Sequence, residues 1–520
     1  METVRSSVLC QALAPLWLAL VGRYPDSVLC AVLRGVGGAL CRWWDGSALV
    51  LWARREGVLT RAWPRSVLCT VLMGLVNLPT LLLQFLYRRW RPVFEGSVAA
   101  RIGFAIVEQT PLAVGWLMLI VMVIPFKYWN NAYSFGGFIL CTILAVCAGM
   151  RKPKFRLDLW TIGPWLVAFT GLVLAAWPTS LYVHQSQRYL PYHITCMMCV
   201  LVIVSTVERR GQLVRLMTMA SLALGVMACS GFYQRIVGVK VNPSYVDMTL
   251  NKDMPGRVYA FYENPNTFAE VLVLLIPVAV ALMLCSRRWS GRFLGFGTAV
   301  LACGAMAMTY SRAAWVGLAF AAFLFVLLWK RKLMPVFLLV AFAGLAMLPD
   351  TVFHRILTIF NTSDTSTNSR FPLYYAAADL ISQRPLTGVG LGTDAVRSAI
   401  SDLHLFHGKD HFVHCHDIYL EVWCELGLIG LIAFVGGIFG VCKRGIRAIA
   451  RTTCRHETRL AVIGSVTALA GSLVCGLADY PWHYPRVMLI FWFVAAIGLA
   501  GIRLAAREDK QAKREGLTAR

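Results

Sequence analysis

Five of the ten histidines fall between residues 404 and 416, in the run His404-Leu-Phe-His407-Gly-Lys-Asp-His411-Phe-Val-His414-Cys-His416-Asp417, directly before a long apolar stretch. Titratable groups where a chain enters a membrane are costly and persist where function needs them. An imidazole at such a place can accept a proton near neutral pH. Elsewhere, three arginines stand alone in weakly charged surroundings: Arg257 in Arg257-Val-Tyr-Ala-Phe-Tyr-Glu-Asn264-Pro-Asn266, Arg312 in Tyr310-Ser311-Arg312, and Arg370. Guanidinium groups suit planar, multidentate recognition of phosphate. Asp417 or His416 is a suitable N-cap for the helix that follows. Its free N–H groups and dipole would favour an anion nearby.

The elements that must position these groups are membrane helices. Of the 520 residues, 58% are hydrophobic, and apolar runs of about 17–23 residues recur, long enough for a hydrocarbon core of roughly 30 Å. The reading is an all-α polytopic membrane protein with about twelve spans, near 105–125, 132–150, 159–177, 190–207, 213–233, 268–286, 293–309, 313–329, 333–349, 418–440, 459–477 and 486–503. Alternate connections carry the lysines and arginines: Arg151 to Lys154, Arg209 and Arg210, Arg287 to Arg292, Lys330 to Lys332, and Lys443 to Arg459. By the positive-inside rule that side and both termini are cytoplasmic.

The opposite side receives loops 234–267 and 350–417, the second lying between the ninth and tenth spans. Residues 293–329 would make a single helix of roughly 55 Å, too long for one crossing. They are expected to form a hairpin with Ser311 and Arg312 at its outer tip. Arg257, Arg370, the glycine-rich Arg384-Pro-Leu-Thr-Gly-Val-Gly-Leu-Gly392 and His416 then share that side. Residues 102–503 form the transmembrane domain and 504–520 a basic tail.

Residues 1–101 differ. Ser-Val-Leu-Cys occurs at 7–10, 27–30 and 66–69 among arginine-rich stretches, which reads as basic amphipathic helices on the cytoplasmic membrane surface. A disordered leader and an extra spanning pair are the alternatives. The net charge of +24 follows the inter-span clusters, so a nucleic-acid partner is excluded. Most of the sixteen cysteines lie inside apolar runs or the N-terminal region and read as small apolar residues, not as a disulfide framework.

Several residues have a plainer reading. Arg312 can simply snorkel to the interface. His404, His407, His411 and His414 have helical spacing and could share a zinc-binding face. Gly408 weakens that helix, and a solvated stripe is the simpler account. Asp417, Glu421 and Glu425 fall on one helical face, either as counter-ions for the arginines or as a cation path in a twelve-span transporter or flippase-like protein.

Taken together, Asn264-Pro-Asn266, Tyr310-Ser-Arg-Ala-Ala-Trp315, Arg370, Arg384 to Gly392, His416-Asp-Ile-Tyr-Leu420 with Glu425, Gly427 and Gly430, and Asp479 resemble the O-antigen ligase and O-antigen polymerase family. The resemblance spans roughly 105–503 and is strongest over 257–431. It implies a GT-C-like, metal-independent glycosyltransferase without cofactor in the bacterial cytoplasmic membrane, its active site on the outer face. The donor would be an undecaprenyl-diphosphate-linked glycan and the acceptor a hydroxyl of a glycan or lipid, with membrane lipids around the protein.

On that resemblance His416 is the candidate base. Arg257, Arg370 and Arg312 hold the diphosphate, and Asn264, Asn266, Ser311, Asp417, Tyr419 and Glu425 support them. The family usually has Asn after the histidine, where this chain has Asp417. Its pattern has no counterpart to residues 1–101.

Overall fold

The computed structural model describes residues 26–240, 255–346, 370–408 and 411–516, besides a few isolated positions. The described residues are helical throughout, without strands. Ten helices are long and apolar enough to cross a membrane, or eleven if the pair Val98–Val107 and Thr110–Val123, bent by 55°, is one span.

This differs from the expected twelve for physical reasons. The expected span 159–177 is a four-residue turn, Leu159–Ile162, and a short helix, Pro164–Ala176, broken at Gly163 with φ 88°. The expected spans 313–329 and 333–349 count as one stretch, Arg312–Leu345. Val67–Arg89, within the segment read as surface helices, is itself long and apolar enough to cross.

The chain divides into two compact units, residues 1–52 with 323–348, and residues 53–322 with 349–520. In the first, Arg331 of a 3-10 turn pairs with Asp45 at 2.7 Å. Ser27 there caps helix Val28–Gly46 by accepting the Cys30 N–H. In the second unit Ser66 caps Val67–Arg89 by accepting the Cys69 N–H. Ser-Val-Leu-Cys is thus a helix start, with the serine at the N-cap and the cysteine three residues in. Its copy at 7–10 lies outside the described residues.

Ten helices of the chain frame the site and are numbered here. They are α1 (Val183–Thr206), α2 (Arg210–Val237), α3 (Pro265–Cys285), α4 (Trp289–Thr309), α5 (Arg312–Lys330), α6 (Phe371–Gln383), α7 (Thr393–Asp402), α8 (Ile418–Ile449), α9 (His456–Cys475) and α10 (Pro485–Arg514). Helices α4 and α5 form the expected hairpin, turning at Tyr310, which sits at φ 51°.

The basic connections meet at one end of the second unit. Arg210 and Arg287 both reach Glu457, at 3.4 and 3.0 Å, and Lys152 pairs with Glu208 at 2.7 Å. Arg503, nearly buried, binds Asp158 at 2.9 Å and donates to the Val204 and Ser205 carbonyls that end α1. A buried charge left without its partner would cost several kcal/mol, so these contacts fix how the helix ends meet.

The tenth expected span, α8, is interrupted at Gly427 (φ 68°, ψ −177°). A break at membrane depth strands carbonyls and N–H groups that lipid cannot satisfy. The glycine-rich turn supplies the missing partners. Val389 and Gly390 donate to the Cys424 and Glu425 carbonyls at 2.9 and 3.1 Å, and Leu428 donates to Pro385 at 2.8 Å. A Cβ on Gly388 would lie 2.5 Å from the Glu425 carbonyl oxygen, which accounts for glycine there.

Candidate functional site

His416 sits in the last turn before α8, with φ 48°. Asp417 behind it is the N-cap, accepting the Tyr419 and Leu420 N–H groups at 2.8 and 2.9 Å. Burial pushes the Asp417 carboxyl up, and these two bonds oppose that shift. Asn and Asp cap helices about equally well, so Asp417 departs from the family pattern without losing this structural role. Tyr419 ties α8 to α9 by donating to the Leu473 carbonyl at 3.0 Å.

The imidazole of His416 turns to Asp479, 63 positions away, with Nδ1 3.1 Å from Oδ1. Asp479 is almost fully buried. Burial would raise its carboxyl, but the His416 hydrogen bond and charge, with Arg370 nearby, hold it well below the usual range. An ionised Asp479 takes the Nδ1 proton as a hydrogen bond, which leaves Nε2 with its lone pair.

The Asp479 loop is anchored from below. Trp482, 3% exposed, packs against Phe169, His193, Phe434, Phe491 and Trp492. Such an aromatic cluster holds the loop against rotation of the carboxylate.

Arg370 is the N-cap residue of α6 and lies within electrostatic reach of Asp479 and His414. Arg257 is buried at the opposite flank. It donates from Nε to the Thr309 carbonyl at 2.6 Å and from Nη2 to the Asn266 carboxamide oxygen. Asn264 caps α3 through the Thr267 N–H at 2.9 Å and donates to the Tyr484 hydroxyl at 2.6 Å. With Pro265 at the first helical position, Asn-Pro-Asn is a strong helix start whose third residue faces the arginine.

One turn deeper, Glu270 lies within electrostatic reach of Asp479. Ser311 is buried at the hairpin tip, and Arg312 begins α5 there.

The acidic face of α8 is committed elsewhere. Glu421 accepts the Cys415 N–H at 2.7 Å, and Glu425 accepts the Tyr480 hydroxyl at 2.9 Å. Both carboxylates brace the loops that carry His416 and Asp479.

The histidine stripe does not form a helical face. Helix α7 ends at Asp402; His404, His407 and His411 are exposed, whereas His414 is buried. His414 instead stacks between His416 and His483, with ring centroids 4.0 and 4.7 Å away. Its Nδ1 accepts the His416 backbone N–H at 3.1 Å. Burial, with His416 and His483 nearby, lowers its proton affinity well below that of a free histidine. Burial likewise lowers His483, with Arg397 assisting, to about 4.

The sequence placed Asp479 at the site only through the resemblance. The partnership of Asp479 with His416, and the gathering of His414, Glu270, His483 and Tyr484, carried no local signal. Each depends on pairing the α8 entry with the α9–α10 turn.

Residues 297–435, from within α4 to just past the break in α8, match the family model described as O-antigen ligase. No curated protein matches the chain. The matched stretch contains Arg312, Arg370, the glycine-rich turn, His416 and Glu425, and it lies in a multi-span helical membrane protein. Over this segment the chain is similar to the O-antigen ligase family, which supports an assignment to O-antigen ligase-type proteins.

Proposed function

We propose that this protein transfers a glycan from undecaprenyl diphosphate to an acceptor hydroxyl, without a metal, at the outer face of the bacterial cytoplasmic membrane. The observation that carries the reading is the His416–Asp479 pair with Arg370 beside it, at the end of the helices opposite the basic connections.

In this mechanism the acceptor hydroxyl gives its proton to His416 Nε2 as its oxygen attacks the anomeric carbon. The bond from that carbon to the diphosphate oxygen breaks in the same displacement, inverting the centre. Polyprenyl diphosphate leaves. Asp479 holds the imidazole in the accepting tautomer and stabilises the imidazolium that forms. Arg370, Arg257 and Arg312 neutralise the departing charge, the electrostatic task for which many transferases use a divalent ion.

Arg257 has a second duty, since it bolts the 257 segment to the end of α4. Arg370→Ala should weaken donor binding by about tenfold or more, in line with loss of a charge-assisted contact. Arg257→Ala should weaken donor binding and also lower the unfolding temperature. Binding of a labelled lipid-diphosphate glycan to purified variants, alongside thermal melts, separates the two. Unchanged donor affinity in both would remove the arginines from the donor site.

Membrane vesicles given a labelled donor test the reaction itself. Label should move to a longer chain or to a different carrier, which also distinguishes polymerase from ligase. Label that crosses the membrane still attached to its lipid would instead support the transporter reading. The placement of Glu421 and Glu425 in loop-bracing hydrogen bonds argues against that reading.

A further inference from the structure

The region around His416 holds more imidazole than proton transfer needs. His414 and His483 crowd the same corner, and the Nδ1 of His483 is buried without a hydrogen-bond partner among the described residues. His414, His416 and Asp479 each offer a donor atom, and the three atoms lie within 4.8 Å of one another.

We propose that His414, His416 and Asp479 form a binding site for a divalent transition ion of the zinc class, and that the bound ion switches transfer off. The first half stands on geometry alone, and the second rests on the base role given to His416 above.

Two imidazoles and a carboxylate make a donor set suited to zinc, which takes nitrogen and oxygen ligands at about 2.0–2.2 Å. Magnesium and calcium prefer oxygen alone. Tetrahedral coordination at such bond lengths places neighbouring donors roughly 3.3 Å apart. The His416 Nδ1 to Asp479 Oδ1 separation is 3.1 Å, so that edge is already set. The third donor needs to close by no more than about 1.5 Å, within reach of an imidazole rotation.

Three protein ligands leave a fourth position, and His483 stands one ring away from His414.

The inhibitory step is a tautomer change. An ion between His416 and Asp479 takes the Nδ1 lone pair, so the Nδ1 proton must reside on Nε2. No proton is lost and nothing is oxidised. The nitrogen that faces the acceptor then carries a hydrogen and has no lone pair to receive another. Asp479 simultaneously exchanges its hydrogen bond for a bond to the ion.

The test uses the full chain in detergent, stripped with EDTA and titrated with ZnCl2 against a chromophoric chelator. We expect one ion per chain, no competition from Mg2+, and a loss of affinity of about tenfold or more in both His414→Gln and Asp479→Asn. His404→Gln, which alters an exposed histidine outside the cluster, should bind as the unaltered protein does. Thermal melts check that each variant is folded, and bound Co2+ reports coordination through its visible absorption. Absence of micromolar zinc binding would overturn the site, as would equal binding by Asp479→Asn.

If zinc binds but leaves glycan transfer unaffected, the inhibitory half falls. A protein that binds zinc yet shows no transfer under any condition keeps the site and loses the function proposed above.

Discussion

Replacing His416 with alanine should reduce glycan transfer by roughly 10²–10⁴-fold while leaving donor affinity within about twofold. The reason is local. His416 pairs a buried carboxylate on one ring nitrogen and keeps the second nitrogen for the acceptor. Asp479→Asn should lower the rate by a smaller factor of about 10–10³, because an amide can still accept the Nδ1–H but no longer stabilises an imidazolium. The pair of results is what identifies a base held by a carboxylate. Rates measured at saturating donor, with donor binding measured separately, decide it. Full transfer by the His416 variant would exclude the imidazole from the chemistry.

The largest effect on folding is expected at Gly427. Its φ of 68° and ψ of −177° lie in a region essentially reserved for glycine. A Cβ would come within 2.1 Å of the Leu386 carbonyl oxygen. That oxygen belongs to backbone stitched to α8, so it has nowhere to retreat. Gly427→Ala should therefore cost about 3 kcal/mol or more and yield protein that is protease-sensitive and melts several degrees lower.

Gly297→Ala is the control. Nothing lies within 4 Å of its added Cβ, and a helical glycine replaced by alanine gains about 0.5–1 kcal/mol. Equal melting temperatures for the two variants would show that the break in α8 is not held as described.

Much of this architecture could be read before any coordinates. Apolar runs and alternating basic connections located most of the helices. The length of 293–329 required the hairpin at Ser311, and two of the expected basic connections, those of Arg210 and Arg287, meet at Glu457. Arg257, Arg370 and His416, the residues proposed to act in transfer, stood out in the sequence by type and place.

The missing information was of one kind. Periodicity says which face of a helix is apolar, but not which distant loop meets it. His416 and Asp479 are joined only because Tyr419 and Glu425 fasten α8 to α9 and to the following turn. The histidine stripe is solvated at His404, His407 and His411, as its simpler reading expects, and only His414 turns inward. Its helical spacing fell just past the end of α7, where no helix exists to give the spacing meaning.

The stitching of residues 385–390 to the break in α8 bears on how the protein is made. A ribosome delivers the glycine-rich turn before residues 424–428, so its donors are already present when the carbonyls needing them emerge. A span that cannot complete its own backbone bonding must wait, in the insertion machinery or at the membrane edge, until that turn has docked. Biogenesis of the tenth expected crossing is thereby coupled to docking of the glycine-rich turn, and a misassembled turn would leave an unfinished helix exposed to quality control.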